Sequence, residues 1–256
     1  YLNEFGGAER VLLTLSEMFP EADIYTAFVK PDSTAAKAFA HKKVISSWFQ
    51  KLPFFWRLYS PLRFLIPWIW SSFYFSNYDL IITSASWYIT KGLGKKFGVP
   101  EICYCHTPPR WLYGYPTSVN FQKYWPVKIY AAIVGHFLRV YDFDQAQKVD
   151  VFVANSQEVA ARIKKFYRRE STIVYPPIPP LPAGFPSYLG GDKRGGTQGD
   201  YYLIISRLVG GKGIELAVEA AKKVGFKLKI AGEFAGFNQM PGVETLGHVS
   251  DAEKFE

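Results

Sequence analysis

Short apolar runs alternate along this chain with stretches whose apolar positions recur every three or four residues. The first repeat, Val11, Leu12, Leu15 and Met18, predicts a helix opened by Gly6-Gly7-Ala8-Glu9-Arg10. Asp23 to Phe28 reads as a short strand, and Asp79 to Thr83 and Glu101 to Cys105 as further buried strands. Ser84 and Ser86 are placed to cap a helix running through Lys91. Val127 to Lys148 reads as a long helix and Asp150 to Ala154 as a strand. Asn155-Ser156 then caps a helix from Glu158 to Phe166, and Thr172 to Tyr175 is the last strand before Pro176-Pro177.

From there to residue 200 the chain is rich first in proline and then in glycine with mixed charge, the composition of an interdomain linker. Beyond it, Tyr201 to Ile205 reads as a buried parallel strand, and Ile214, Ala217, Val218 and Ala221 as the apolar face of a helix. Lys227 to Ala231 is a strand ending in Gly232-Glu233, and Val243 to Leu246 a strand ending in Gly247-His248-Val249. Strands alternating with helices on both sides of the linker predict two doubly wound α/β domains: residues 1–175, linker 176–200, and a partial second domain over 201–256.

Residues 33–78 break this pattern. They carry six basic residues, among them Lys42, Lys43 and Lys51, and no Asp or Glu. Aromatic residues, including Trp48, Trp56 and Trp68, crowd the same stretch, and Pro53, Pro61 and Pro67 divide it into short helices. Such a segment fits docking on an anionic membrane surface; the alternative is a helical subdomain with the rings in its own core.

Two cysteines in 256 residues make no disulfide framework, which points to a reducing compartment. Cys103 and Cys105 share one strand face and read as buried thiols, not as a zinc site. No apolar run is long enough for a transmembrane helix. The chain opens without Met or a signal-peptide pattern and ends as a helix begins, so it reads as cut at both ends. A net charge of +8 suits a phosphorylated substrate or an anionic membrane; no nucleic-acid-binding motif is present.

Candidate chemistry gathers in three places. Arg207 and Lys212 bracket a loop containing Gly210 and Gly211, between a strand and a helix N-terminus. Free N–H groups, the helix dipole and two cations there suit a polyanion, although an ordinary turn with solvated charges has the same sequence. The loop is neither a Walker A nor a GxGxxG sequence. Gly6 and Gly7 give a second helix start able to face a phosphate or sugar, or simply a turn after a strand. His106 leaves a parallel strand at its C-terminal end, where open α/β sheets bind ligands. Arg110, Trp111 and Tyr113 follow as an anion clamp and sugar-stacking surface; a core histidine is the plain alternative.

Taken in order, GGAER, CHTPPRWLY, VANSQEVAARIKKFY with TIVYPP, SRLVGGKG, IAGE and LGHVSD resemble glycosyltransferase family 4. The resemblance implies a GT-B fold, two Rossmann-like domains facing a cleft with the second incomplete, and a retaining enzyme that uses a nucleotide-sugar donor. It implies that Arg207 and Lys212 hold the donor diphosphate, with Gly6 and Gly7 across the cleft and His106 near the transferred sugar. Gly232 and Glu233 join the donor-binding set, and Gly247, His248 and Val249 line the nucleobase pocket. An E-x7-E element is expected after Glu256, and a first strand before Tyr1, so this stretch alone is expected to be inactive. The HTPPRWLY form leans towards mannosyl transfer to a glycan or lipid-linked acceptor, in cell-surface polysaccharide or glycolipid synthesis. Front-face attack with the leaving phosphate as base is the implied mechanism, with no metal or other cofactor. The expected setting is the cytoplasm, peripheral on the inner face of the cytoplasmic membrane. A sugar-nucleotide epimerase of the same architecture, or a non-catalytic membrane-docked module, are the alternatives.

Overall fold

The apolar run Glu101–Cys105 forms a strand with those bounds, and three neighbours line up with it in chain order. In a computed structural model of the chain, which describes residues 1–115, 124–177, 201–206, 213–232, 243–247 and 249, they make a four-stranded parallel sheet. The first helix, α1, spans Gly7–Met18; Val11 is buried, whereas Met18 at the end of the predicted face is exposed. Strands β1 (Ile24–Thr26) and β2 (Val44–Ser46) pair in parallel, with α2 (Thr34–Ala38) between them. Helices α3 (Phe55–Leu58) and α4 (Ile66–Ser71) follow. The sheet then runs β3 (Ile81–Ala85), β4 (Glu101–Cys105), β5 (Val151–Ala154) and β6 (Thr172–Ile173), with α5 (Trp125–Lys148) and α6 (Gln157–Tyr167) flanking β5.

Two compact units divide the described chain: residues 1–115 with 124–177, and the residues from 201 onward. The second has three parallel strands, β7 (Tyr201–Ile205), β8 (Lys227–Ala231) and β9 (Val243–Gly247), with α7 (Ile214–Val224) after β7. Ile214, Val218 and Ala221 of α7 pack on Leu228 and Ile230 as the helical repeat predicts. β7 departs from expectation. Tyr201, Tyr202, Leu203 and Ile205 are all exposed: among the described residues β7 pairs with β8 alone, and no element covers either of its faces fully. The expected linker falls on residues 178–200, outside the described set.

The basic, aromatic stretch is less helical than predicted, since β2 lies inside it. Many of its rings do fill a core: Phe49, Phe55, Trp70, Phe73 and Phe75 are buried together with Phe28. Phe28 meets the rings of Tyr1, Phe55 and Tyr59 with centroids 5.0, 5.3 and 5.6 Å away. Its missing acid is supplied from outside, since Asp23 sits 2.9 Å from Lys43, while the Lys42 ammonium donates to the Ser16 carbonyl at the end of α1. Trp48, Phe54, Phe64 and Trp68 remain exposed.

The helix predicted after Ser84 does not form. Ser84 lies within β3, and the chain from Ser86 to Gly94 is irregular, followed by a 3-10 turn at Lys95–Phe97. The Glu101 carboxylate, fully buried, organises this connection. It accepts from the N–H groups of Gly92 (2.8 Å), Leu93 and Gly94 (3.0 Å) and from the Thr83 hydroxyl (3.1 Å). Amides held by this buried carboxylate are not available for helical hydrogen bonds. Gly92 adopts φ +72°, and a Cβ there would stand 2.6 Å from the Gln145 carbonyl; at Gly94 it would stand 2.2 Å from that of Val99. Only glycine fits this path.

Beside it, Lys91 and Asp142 of α5 form an ion pair with both side chains almost wholly buried. Tyr113 donates to the second Asp142 oxygen at 2.8 Å, and the Lys91 ammonium stands 4.7 Å from the centre of the Tyr167 ring. The charges are thus tied to each other and to a phenol, as a dry interior requires. Cys103 and Cys105 point into this core as free thiols, and burial raises the pKa of Cys103 to about 12.

Candidate active site

Parallel strands all end on the same edge of their sheet, and in the first unit that edge gathers polar groups. Asn155 follows β5 and donates its N–H to the Cys105 carbonyl (3.4 Å), while Ser156 caps α6 by accepting from Val159 N–H at 3.3 Å. His106 follows β4, its N–H bonded to the Ala85 carbonyl at 2.8 Å. Its Nε2 shares a hydrogen with the Ser84 hydroxyl at 3.0 Å, and its ring lies 5.1 Å from that of Tyr104. Thr107 accepts from Arg162 of α6 at 3.2 Å.

Burial lowers the His106 pKa from 6.5 to about 4. At neutral pH the imidazole is therefore uncharged, and whichever role Nε2 takes towards Ser84 leaves the opposite one to Nδ1. The same shift bears on stability. Between pH 6.5 and 4 the unfolded chain binds a proton that the folded chain does not, so this contribution is complete above 6.5 and fades as pH falls. The loss should reach up to about 3 kcal/mol at the acid end. Urea unfolding across that range should show it in the wild type and a flatter profile in His106→Asn; equal profiles would refute it.

The residues expected to accompany His106 are placed unequally. Arg110 is exposed at a 3-10 turn, Arg110–Leu112. Trp111 donates its indole N–H to the Trp87 carbonyl (3.1 Å), and the Arg63 guanidinium covers its ring at 4.5 Å. Tyr113 stacks on Phe166 at 4.2 Å while its hydroxyl holds Asp142. Gly6 and Gly7 open α1, and the Gly6 N–H is held by the Glu9 carboxylate at 3.0 Å. Gly6 has extended backbone, so no tight turn forms there, and a Cβ on Gly7 would meet open space.

In the second unit, two residues expected at the donor site meet directly. Gly232 N–H donates to the Gly247 carbonyl at 2.7 Å, joining the ends of β8 and β9, and Ser206 N–H reaches the Ala231 carbonyl at 3.0 Å. α7 starts after Gly213 (φ +70°), which as the N-cap residue has no side chain to cap it. Arg207, Gly210, Gly211, Lys212, Glu233 and His248 lie outside the described residues, while Val249 is described and half-buried.

Among the described residues no three His, Cys, Asp or Glu side chains converge as a metal site. The chain does carry one Asp-x-Asp, Asp142-Phe143-Asp144, a spacing able to hold Mg²⁺ when both carboxylates face one site. Here it lies inside α5, with Asp142 buried against Lys91 and Asp144 exposed.

The model of the family described as Glycosyltransferase Family 4 matches residues 5–180. The chain belongs to glycosyltransferase family 4. No curated protein matches it. Its parallel α/β sheets are those of the Rossmann-like GT-B class expected for the family, and the match covers the whole edge on which His106 sits. Sequence alone does not announce Ser84 as the partner of His106, or Asn155 and Arg162 as partners of the flanking Cys105 and Thr107. Ser84 looked like a helix cap, and only the strand register, which sets it opposite Tyr104, brings it near the histidine. No described helix is long and apolar enough to cross a membrane.

Proposed function

We propose that this chain acts as a retaining glycosyltransferase that moves a hexose, mannose by first choice, from a nucleotide-sugar to a glycan or lipid-linked acceptor. The pathway in this reading is cell-surface polysaccharide or glycolipid synthesis. The observation that carries it is the neutral His106, held by Ser84 at the strand-end edge of a family 4 sheet. An uncharged imidazole can hydrogen-bond a sugar hydroxyl without pairing with the donor phosphates, and the edge is where parallel sheets take ligands. Arg207, Lys212 and the start of α7 would neutralise the leaving diphosphate, so the reading requires no metal. Gly6 and Gly7 would approach the same diphosphate, and Gly232, Glu233, Gly247, His248 and Val249 would hold the nucleoside.

Membrane docking through residues 33–78 belongs to the same reading and places the protein on the inner face of the cytoplasmic membrane. Exposed Trp48 and Trp68, joined by an indole N–H to carbonyl bond of 3.4 Å, and exposed Phe54 support it. Lys51 remains exposed beside them, whereas Trp56 is half-buried.

The intact protein should release nucleoside diphosphate from a nucleotide-sugar only when acceptor is present, and equally well with a chelator. His106→Ala should lower turnover about tenfold or more while product-nucleotide affinity and melting temperature hold. Equal loss of all three would make His106 a core residue and remove the reading's main support.

A further inference from the structure

Apolar residues run round the whole circumference of α5, where α6 and α7 carry a single apolar stripe. Its inner side packs through Leu138 and Ala146 into the first unit. Its outer side presents Trp125, Ile129, Ile133, Phe137 and Val140, all exposed, Trp125 at 73% and Phe137 at 68%. These positions recur at i, i+4, i+8, i+12 and i+15, which keeps them within about a third of the circumference along about 22 Å of axis. A surface helix normally turns charged residues to that side, and an apolar strip of this length on a monomer marks a docking face.

The chemistry around the strip selects its occupant. From Tyr124 to Tyr141 there is no Asp or Glu, while Lys128 and Arg139 border one edge of the strip and His136 lies within it. Arg139 keeps one N–H on the Leu112 carbonyl at 3.3 Å and is otherwise exposed. Tyr124 and Trp125, both exposed, close its N-terminal end with the ring types that favour a headgroup boundary. An apolar strip with Lys128 and Arg139 along one edge, and no exposed acid before Asp144 beyond its C-terminal end, matches an anionic bilayer, where rings and aliphatic chains bed at the headgroup level and the cations meet lipid phosphates. The Tyr130 hydroxyl donates to the Pro61 carbonyl, so this helix is continuous with the basic, aromatic segment.

We infer that the outer face of α5 lies in the surface of an anionic lipid bilayer and is the main lipid-binding element of this chain. The inference rests on the membrane part of the function proposed above and moves it from residues 33–78 to α5.

Intact protein co-sedimented with phosphatidylcholine vesicles, with and without phosphatidylglycerol, tests it. The wild type should bind the anionic vesicles more strongly. Ile129→Ser, Ile133→Ser and Phe137→Ser together should weaken that binding about tenfold or more, at unchanged melting temperature and unchanged transfer to a soluble acceptor. Lys42→Glu with Lys51→Glu should weaken it less. Wild-type binding by the triple variant overturns the inference, and loss confined to the lysine variant returns docking to residues 33–78. Absence of wild-type binding overturns both, and a dimer broken by the triple variant would then make the strip a contact between copies. Absence of transfer to a soluble acceptor by the wild type would instead count against the glycosyltransferase reading alone. If the triple variant melts lower, hydrogen exchange on the wild type decides: residues 125–140 should gain protection on anionic vesicles, and no gain overturns the inference.

Discussion

Asp142→Ala should destabilise the first unit by about 3–5 kcal/mol, the largest stability effect expected from any single change here. Removing the carboxylate leaves the Lys91 ammonium buried without its counter-charge and the Tyr113 hydroxyl without its acceptor. An exposed ion pair such as Arg162 with Glu158, one turn apart on α6, should by contrast matter by only a few tenths of a kcal/mol. The buried pair can be separated from its setting by changing both members. Lys91→Met with Asp142→Leu should recover much of the loss, because no bare charge remains inside. Urea unfolding followed by tryptophan fluorescence suits the measurement, since all 7 tryptophans lie between Trp48 and Trp125, within the first unit. Near-wild-type stability in Asp142→Ala would mean that the pair is open to water and that the core around it is not dry.

The largest effect on catalysis should come from Arg207 and Lys212. A donor diphosphate gains negative charge as the sugar departs, so fixed cations act more strongly on the transition state than on the bound substrate. Replacing either by Ala in the intact enzyme should lower kcat/KM by an amount equal to about 2–4 kcal/mol. Its structural motive is the frame on either side: β7 stops at Ile205, and α7 starts after Gly213, an N-cap residue with no side chain to hold the first N–H groups. Together the two substitutions should cost less than the sum of the singles, because both act on one anion. Unchanged kinetics in Arg207→Ala would remove the loop from the donor site.

Much of this architecture could be read from the chain because local signals agreed with tertiary ones. Glu101–Cys105, largely apolar, and Lys227–Ala231, where polar and apolar residues alternate, both form strands with those bounds. Ser156 has the residue type and position of a helix cap and acts as one. Reading failed where a distant group took over the backbone. Nothing near Ser84 announces that the Glu101 carboxylate will collect the Gly92, Leu93 and Gly94 amides, and without it the serines look like caps. β2 was hidden by its length of three residues and by the aromatics around it. For the site, residue types pointed to His106, but its partner Ser84 comes from the parallel register of β3 on β4. Trp111 and Tyr113 show the converse: rings suited to stacking on a sugar also suit Arg63 and Phe166, and sequence does not rank the two.

The amide cage around Glu101 changes what irregular means for this protein. Loop backbone usually trades its hydrogen bonds with solvent and opens by itself, in small local fluctuations. From Gly92 to Gly94 the amides are committed to a buried carboxylate at the first residue of the second strand of the sheet. They can be released only when that strand moves. The connection therefore belongs to the same cooperative unit as the sheet, and its clock is global unfolding. Trp87, earlier in the same connection, takes the Trp111 indole N–H on its carbonyl, and so ties the loop that follows His106 to it.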